Sequence, residues 1–293
     1  MKVTTIARNP KNSPNMTAND AAILKCISDE LAAMGVEVTS IEECEEVDDD
    51  TDVVCHMTRT AGTLEMLKRA EAKGITVFNS PTAVCSCSRK EFTLAFEKAG
   101  IPQPGFRIVE SGKDLEMLHY PAWIKNARGW SCQEEDVAFA TDAEQAKDIF
   151  AQMRKRGHDC CIHSCHIIGD LIKFYGIGDG FFHYCYPQNG KFGLEKINGT
   201  PKHRPFSEKE LKKCATSAAN AVGTQIYGGD CIIDDQGRIF VIDFNDFPSF
   251  SAIREKAAKE IATLIMKQKK RNERERQRDI QRIHKVNRHR RVS

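Results

Sequence analysis

The segment 228–250, GGDCIIDDQGRIFVIDFNDFPSF, carries three oxygen-bearing side chains whose types and spacing suit a divalent cation. Asp230 begins one apolar run, Asp235, Gln236 and Gly237 make a turn, and a second run over 239–244 carries Asp243 and leads into Asn245. Side chains alternate along a strand, so Asp243 and Asn245 point the same way, and a hairpin brings Asp230 toward them from the neighbouring strand. Two carboxylates and an amide oxygen suit Mg²⁺ (or Mn²⁺), a hard ion that takes oxygen ligands, keeps several waters and bridges carboxylates to nucleotide phosphates. The competing reading is an ordinary hairpin with solvated Asp and Asn at its ends, since both residues are common near turns.

The elements that must position these groups are bounded by length and composition. A chain of 293 residues that is 41% apolar can bury two sizeable cores. No stretch approaches the ~20 apolar residues of a membrane span, and the first ten residues lack the apolar core of a signal peptide, which predicts a cytosolic protein without a membrane partner. The twelve cysteines then read as reduced thiols, and no CxxC pair supports a structural zinc site. The cluster Cys160, Cys161, His163, Cys165 and His166 tests that reading: on a strand, Cys161, His163 and Cys165 share a face and form a trio of soft ligands. The alternative is a half-buried strand in which free cysteines pack as small hydrophobes.

The net charge of +2 hides an asymmetry. Residues 267–293 hold twelve Lys or Arg against three acids, which leaves residues 1–266 at a net −7. Such a tail reads as a solvated helical extension or a disordered arm. The sharper possibility is sequence-independent binding to nucleic acid or an acidic partner, because clustered cations displace counterions from phosphates. The tail has no aromatic residue for base stacking.

The amino-terminal part alternates strand and helix. Val3 to Ala7 is a short apolar run, Thr17 starts a helical pattern (Ile23, Ile27, Leu31, Met34) closed by Gly35, and 36–38, 53–56, a helix over 62–72 and 75–78 continue the rhythm. That rhythm implies a small parallel sheet covered by helices. The acidic run 42–50 reads as a solvated loop, and Asn79, Ser80 and Pro81 mark a boundary by their turn chemistry.

Over about residues 75–266 the chain resembles the ATP-grasp superfamily, in particular its ribosomal-protein glutamate ligases and inositol polyphosphate kinases. The resemblance is carried by NSP at 79–81, a lysine opening a helix, GIPQP at 100–104 before a strand, a lysine on the strand PAWIK at 121–125, IKFYGIGD at 172–179, and the hairpin ending in DFNDFPS at 243–249. It implies an α/β (α+β) fold with a Rossmann-like domain over 1–84, an ATP-grasp domain over 85–266 and a basic tail over 267–293. It also implies that ATP is the cofactor, with Asp230, Asp243 and Asn245 holding its metal. The resemblance further implies Lys90 and Lys125 as the phosphate-binding lysines. Asn126 to Ser131 stands where relatives carry a glycine-rich loop over the triphosphate, making Arg128, Gly129 and Ser131 cofactor candidates, although this chain has one glycine and Trp130 there. Ile162, His163 and Ser164 stand where a strand meets adenine, with His163 replacing an acid or amide. Lys173 points to phosphate or substrate. Of Lys202, His203 and Arg204, Arg204 ranks first as the residue that stabilises the transferred phosphoryl group, because a guanidinium grips two oxygens at once.

The implied activity is an ATP- and Mg²⁺-dependent ligase that joins a small-molecule carboxylate to an amine (or thiol) through an acyl phosphate. A kinase acting on a polyol or an inositol phosphate-like hydroxyl is the alternative, and a non-catalytic nucleotide-binding protein is the third class. Arg8, Asn12, Ser13 and Arg59 are loop polars of the first domain within possible reach of a substrate.

Overall fold

The computed structural model describes residues 1–13, 15–130, 133–187 and 197–271. Within them the strands fall into three four-stranded sheets.

The first sheet is parallel, in the order β2 (Glu37–Ile41), β1 (Lys2–Ile6), β3 (Val53–His56), β4 (Thr76–Phe78). Its central strand β3 is buried at every position. That is what helices on both faces of a parallel sheet require. Helix α1 (Thr17–Ala33) buries Ile23, Leu24, Ile27 and Leu31, a stripe at helical spacing, and Gly35 follows it at φ +76°. Helix α2 (Ala61–Ala72) buries Leu64, Met66, Leu67 and Ala70. The strand–helix rhythm expected of this region is therefore present. The acidic loop is not simply solvated: Asp48 and Asp50 each bond Lys2 Nζ at 2.8 Å, and Asp49 bonds Lys73 Nζ at 2.8 Å.

Helix α3 (Pro81–Ser86) is capped by the Ser80 hydroxyl, which accepts from the Ala83 N–H at 3.2 Å. Helix α4 (Arg89–Ala99) ends at Gly100, whose left-handed φ of +66° suits the residue without a Cβ. The second sheet is antiparallel, in the order β5 (Phe106–Val109), β8 (Cys161–Cys165), β6 (Ala122–Asn126), β7 (Val137–Ala140). Helix α5 (Ala143–Lys155) lays Ala146, Phe150 and Met153 on one of its faces, against Ile124 and Cys161.

The third sheet is also antiparallel, in the order β10 (Phe181–Cys185), β9 (Asp170–Ile177), β11 (Ile226–Ile233), β12 (Ile239–Asn245). Helices α4 and α6 (Glu208–Val222) cover one face, packing Phe92, Phe96, Leu211 and Ala215 on Phe174, Tyr227 and Phe244. Strand β11 begins at Ile226, four residues before Asp230, so Asp230 sits inside the strand and not at its start. The Gly228–Gly229 pair within the strand is demanded by close approach. A Cβ on Gly229 would lie 2.4 Å from the Asp243 carbonyl and 2.5 Å from the Phe174 ring, and one on Gly228 would lie 2.9 Å from Pro248.

Helix α7 covers 254–271. Its Ala257, Ala258, Ile261, Ala262 and Ile265 share one core with Val3 and Val53 of the first sheet and Ile27 and Leu31 of α1, so the last helix packs on the first sheet and its helix. The first residues of the basic tail, 267–271, continue this helix, and Lys269 Nζ bonds Asp52 at 3.1 Å. The rest of the tail, 272–293, lies outside the described residues. Among the described residues no helix is long and apolar enough to cross a membrane, and eleven cysteines are free thiols.

Candidate functional site

The site grows from the pairing of three strands. Register sets Lys173 of β9 opposite Asp230 of β11, and Asp230 opposite Asp243 of β12, so a cation and two carboxylates form one row across the sheet. Two like charges directly opposite repel, so a row of this kind calls for compensating cations. The structure supplies them. Lys173 Nζ bonds Asp230 Oδ1 at 2.7 Å, and Arg89 Nη2 lies 3.2 Å from Asp243 Oδ1. Asn245, two residues beyond Asp243 and therefore on the same side, donates from Nδ2 to Asp243 Oδ2 at 3.3 Å. The three oxygen-bearing residues predicted from the sequence thus stand together.

A bulge completes the arrangement. The register shifts between Asp230 and Cys231, leaving Ile242 of β12 without a partner across the ladder. Its freed carbonyl accepts a hydrogen bond from Lys125 Nζ at 2.9 Å, which draws the second sheet's lysine to the third sheet's carboxylates. Burial, with the neighbouring Arg89 charge, pushes the Lys125 ammonium down to about 7, against the pull of Asp243 and Asp230. Burial raises the Asp230 carboxyl more than Lys173 lowers it. For Lys173 the balance is reversed: burial alone favours the neutral amine, but Asp230 outweighs it and holds the ammonium.

A narrow cleft of about 20 Å³ opens between the two antiparallel sheets beside these groups, lined by Arg89, Phe106, Lys125, Ile162, Ser164 and Ile242 among others. Ile162 and Ser164 face it from β8. His163 between them turns to the other side by strand alternation, where its Nε2 bonds the His119 carbonyl at 2.9 Å. Burial lowers its basicity. The soft-ligand trio of β8 does not form a metal centre: among the described residues no group of three His, Cys, Asp or Glu side chains converges on one point. Cys161 packs in the apolar cluster with Ile124 and Phe150, and His166 accepts from Trp123 Nε1 at 3.2 Å.

The other predicted residues lie as follows. Lys90 is half-buried at the start of α4, and its N–H donates to the Ala127 carbonyl at 3.1 Å. Arg128 is exposed and paired to Asp159 at 2.6 Å, away from the carboxylate row. Gly129 adopts φ +67° and its carbonyl accepts from the Arg89 N–H at 3.0 Å. Ser131 lies outside the described residues. Arg204 forms a fork with Asp170 and Asp235. Asp170 is three positions before Lys173 on β9, about 10 Å along the strand, so the fork sits apart from the row. Burial would raise the Asp170 carboxyl, but the Arg204 and Lys202 N–H groups and the Arg204 charge hold it low.

The sequence reading missed Arg89, and it placed Arg8 and Arg59 within reach of a substrate where the structure seals them. Arg89, adjacent to Lys90, is the α4 cation that touches Asp243. The signal was present, because Arg89 lies three and seven residues before Phe92 and Phe96 and so shares their buried stripe, whereas Lys90 is turned by about 100°. Arg8 and Arg59, expected to reach a substrate, instead belong to a sealed charge cluster beside Asn245. Arg59 Nε bonds Asp246 Oδ1 at 2.9 Å, and Arg8 bonds Asp20 Oδ2 at 3.1 Å and the Phe247 carbonyl at 2.8 Å. The Arg59 guanidinium also lies 5.1 Å from the centroid of the Trp130 ring.

The architecture has counterparts among solved structures. It superposes on the D-alanine–D-alanine ligase of Coxiella burnetii with a TM-score of 0.69 at 12% identity, covering 98% of this chain and 99% of that one. The D-alanine–D-alanine ligase of Bacillus anthracis complexed with ATP gives 0.67 at 14% identity, over 94% and 99% of the two chains. A RimK-domain ATP-grasp protein of Sphaerobacter thermophilus gives 0.65 at 15% identity, over 91% and 100%. No protein-family model and no curated protein matches the sequence. The chain has the ATP-grasp fold.

Proposed function

We propose that this protein is an ATP- and Mg²⁺-dependent ligase that joins a small-molecule carboxylate to an amine (or thiol) through an acyl phosphate. The observation that carries the reading is the row Lys173–Asp230–Asp243 with Asn245, Arg89 and Lys125 around it. ATP brings about four negative charges and an attacking carboxylate adds another, so phosphoryl transfer needs cations on both sides of the γ-phosphate. Arg89, Lys125 and Lys173 provide three, on three different elements. Asp230, Asp243 and Asn245 offer only oxygen donors on one side of the sheet, a set that fits Mg²⁺ (or Mn²⁺). Held by Asp230, Asp243 and Asn245, such an ion would supply neutralisation of phosphate charge.

The protein's residues position and neutralise, and no covalent nucleophile is required of them. An acceptor carboxylate oxygen forms a bond to the γ-phosphorus as the bridging P–O bond to ADP breaks. The amine nitrogen then attacks the acyl carbon, phosphate leaves, and the amine loses a proton. The nucleotide lies at the narrow cleft between the antiparallel sheets, which widens to admit it, with Ile162 and Ser164 on one wall. The loop that carries Gly129 borders the phosphates, with Arg128 turned out to Asp159, and Lys90 stands at its rim. Arg204 with its fork borders the nucleotide end of β9.

The test is a coupled assay of ADP release with pools of carboxylic acids, amines and polyols. ADP released only when an acid and an amine are both present is the expected result. Phosphate retained on a hydroxyl compound replaces the ligase with a kinase, and Mg²⁺-dependent ATP binding without turnover replaces it with a binding protein.

A further inference from the structure

The two metal-facing residues of β12 are joined by a closed circuit of contacts that leaves the strand and returns to it. From Asn245 the chain passes to Asp246, whose carboxylate accepts from Arg59 Nε at 2.9 Å. The Arg59 guanidinium faces the Trp130 ring at 5.1 Å. Trp130 follows Gly129, whose carbonyl accepts from the Arg89 N–H at 3.0 Å, and the Arg89 guanidinium lies 3.2 Å from Asp243. The part of this circuit nearest Asn245 is sealed, with the side chains of Arg59 and Asp246 only 6% and 1% exposed. It is also held from behind. Asn79 Nδ2 donates to the Asp246 carbonyl, and Arg8 reaches the Phe247 carbonyl at 2.8 Å and the Met57 carbonyl, in the loop that carries Arg59, at 3.0 Å.

We propose that Arg59 is a positioning residue which, through Asp246 on one side and Trp130 on the other, fixes Asn245 relative to Asp243 and so sets the affinity of the site for metal-bound nucleotide. The inference rests on the nucleotide site proposed above. It gives the bulky Trp130, in a loop with one glycine, a task that a flexible glycine loop cannot perform: its flat ring offers a face to a planar cation whose edge is occupied by a carboxylate. Arginine suits both partners at once. Lysine keeps the charge but cannot hold a carboxylate by a fork and stack on a ring in the same pose.

The experiment uses the full chain in a Trp123→Phe background, so that Trp130 is the sole tryptophan and the background's own constants are the reference. Acrylamide quenching of Trp130 reports the contact, and calorimetry reports ATP affinity with and without Mg²⁺. In Arg59→Met, quenching is expected to rise about threefold and the Kd for Mg·ATP about tenfold, while metal-free ATP affinity changes less than about twofold. Arg59→Lys is expected to recover little of the loss. Trp130→Leu, which leaves the buried ion pair intact, is expected to weaken Mg·ATP binding about threefold and decides the matter if Arg59→Met does not fold. Unchanged quenching, an equal loss of metal-bound and metal-free affinity, or an unchanged Mg·ATP Kd in Trp130→Leu overturns the proposal. Absence of Mg·ATP binding in the reference protein sinks the ligase reading and this inference together, whereas any of the former results with a binding-competent reference sinks this inference alone.

Discussion

Two clusters of charge lie on either side of Asn245, each of two cations and two carboxylates, and are put to different uses. In one, Arg8, Asp20, Arg59 and Asp246 pair two cations with two carboxylates, and none of the four side chains is more than 6% exposed. In the other, Lys173, Asp230, Asp243 and Arg89 also pair two with two, but Asp243 is 29% and Lys173 24% exposed, and the carboxylates stand directly opposite each other. A sealed, balanced cluster has no room for another charged group and holds elements together. An open cluster with opposed carboxylates keeps unspent affinity for a cation, and that is the mark of a binding site. The environments agree: burial tends to raise Asp246, but Arg59 and Arg8 outweigh it and hold the carboxyl low, whereas Asp230 remains raised.

That contrast can be broken by substitution. The largest effect is expected at the open row: Asp243→Ala should reduce turnover by on the order of 10³ while leaving the melting temperature within a few degrees of the original, because the repulsion it relieves offsets the partner Arg89 loses. A melt lowered as far as activity would mean the row is structural. In the sealed cluster the order is reversed. Asp246→Ala strands the buried Arg59 guanidinium, while Arg8 keeps Asp20, and should cost about 3–5 kcal/mol in denaturant unfolding; a loss under about 1 kcal/mol would show the cluster to be open.

Lys125 joins the two behaviours in one residue. It titrates near 7 when folded, against an ordinary 10.5, so between these values the unfolded chain binds the proton that the folded one lacks. Stability therefore rises with pH across that window, and the burial penalty is fully present below pH 7. Lys125→Met should consequently gain on the order of 2 kcal/mol at neutral and lower pH, with the gain fading toward pH 10, and should lose nucleotide affinity. A variant destabilised at every pH would show that the ammonium contributes to the empty fold. The smallest effect is expected at Arg128, whose exposed pair with Asp159 is worth under about 1 kcal/mol, so Arg128→Ala should scarcely move the melt.

Much of this was legible beforehand, because it depends on local periods. The strand–helix alternation before residue 79, the hairpin alternation that sets Asp243 and Asn245 on one side, and Asp230 across from them follow from repeats of 3.6 and 2. The same rule should have singled out Arg89 from Lys90 by its place on the stripe of Phe92 and Phe96. Strand alternation also explains why His163 turns from the cleft while Ile162 and Ser164 face it. The start of β11 was misplaced for the opposite reason: glycines that lower strand propensity locally are required there by Phe174 and the Asp243 carbonyl, which come from other strands.

By itself the sequence determined which atoms are available, namely carboxylates and an amide on a hairpin, lysines on a helix and a strand, and a basic segment after an acidic body. Tertiary structure alone decided who meets whom. Arg204 closes on Asp170, Lys173 on Asp230, and Arg59 on Asp246, 187 residues away. Such pairings are set by sheet register and by the packing of separate elements, and local spacing holds no information about either.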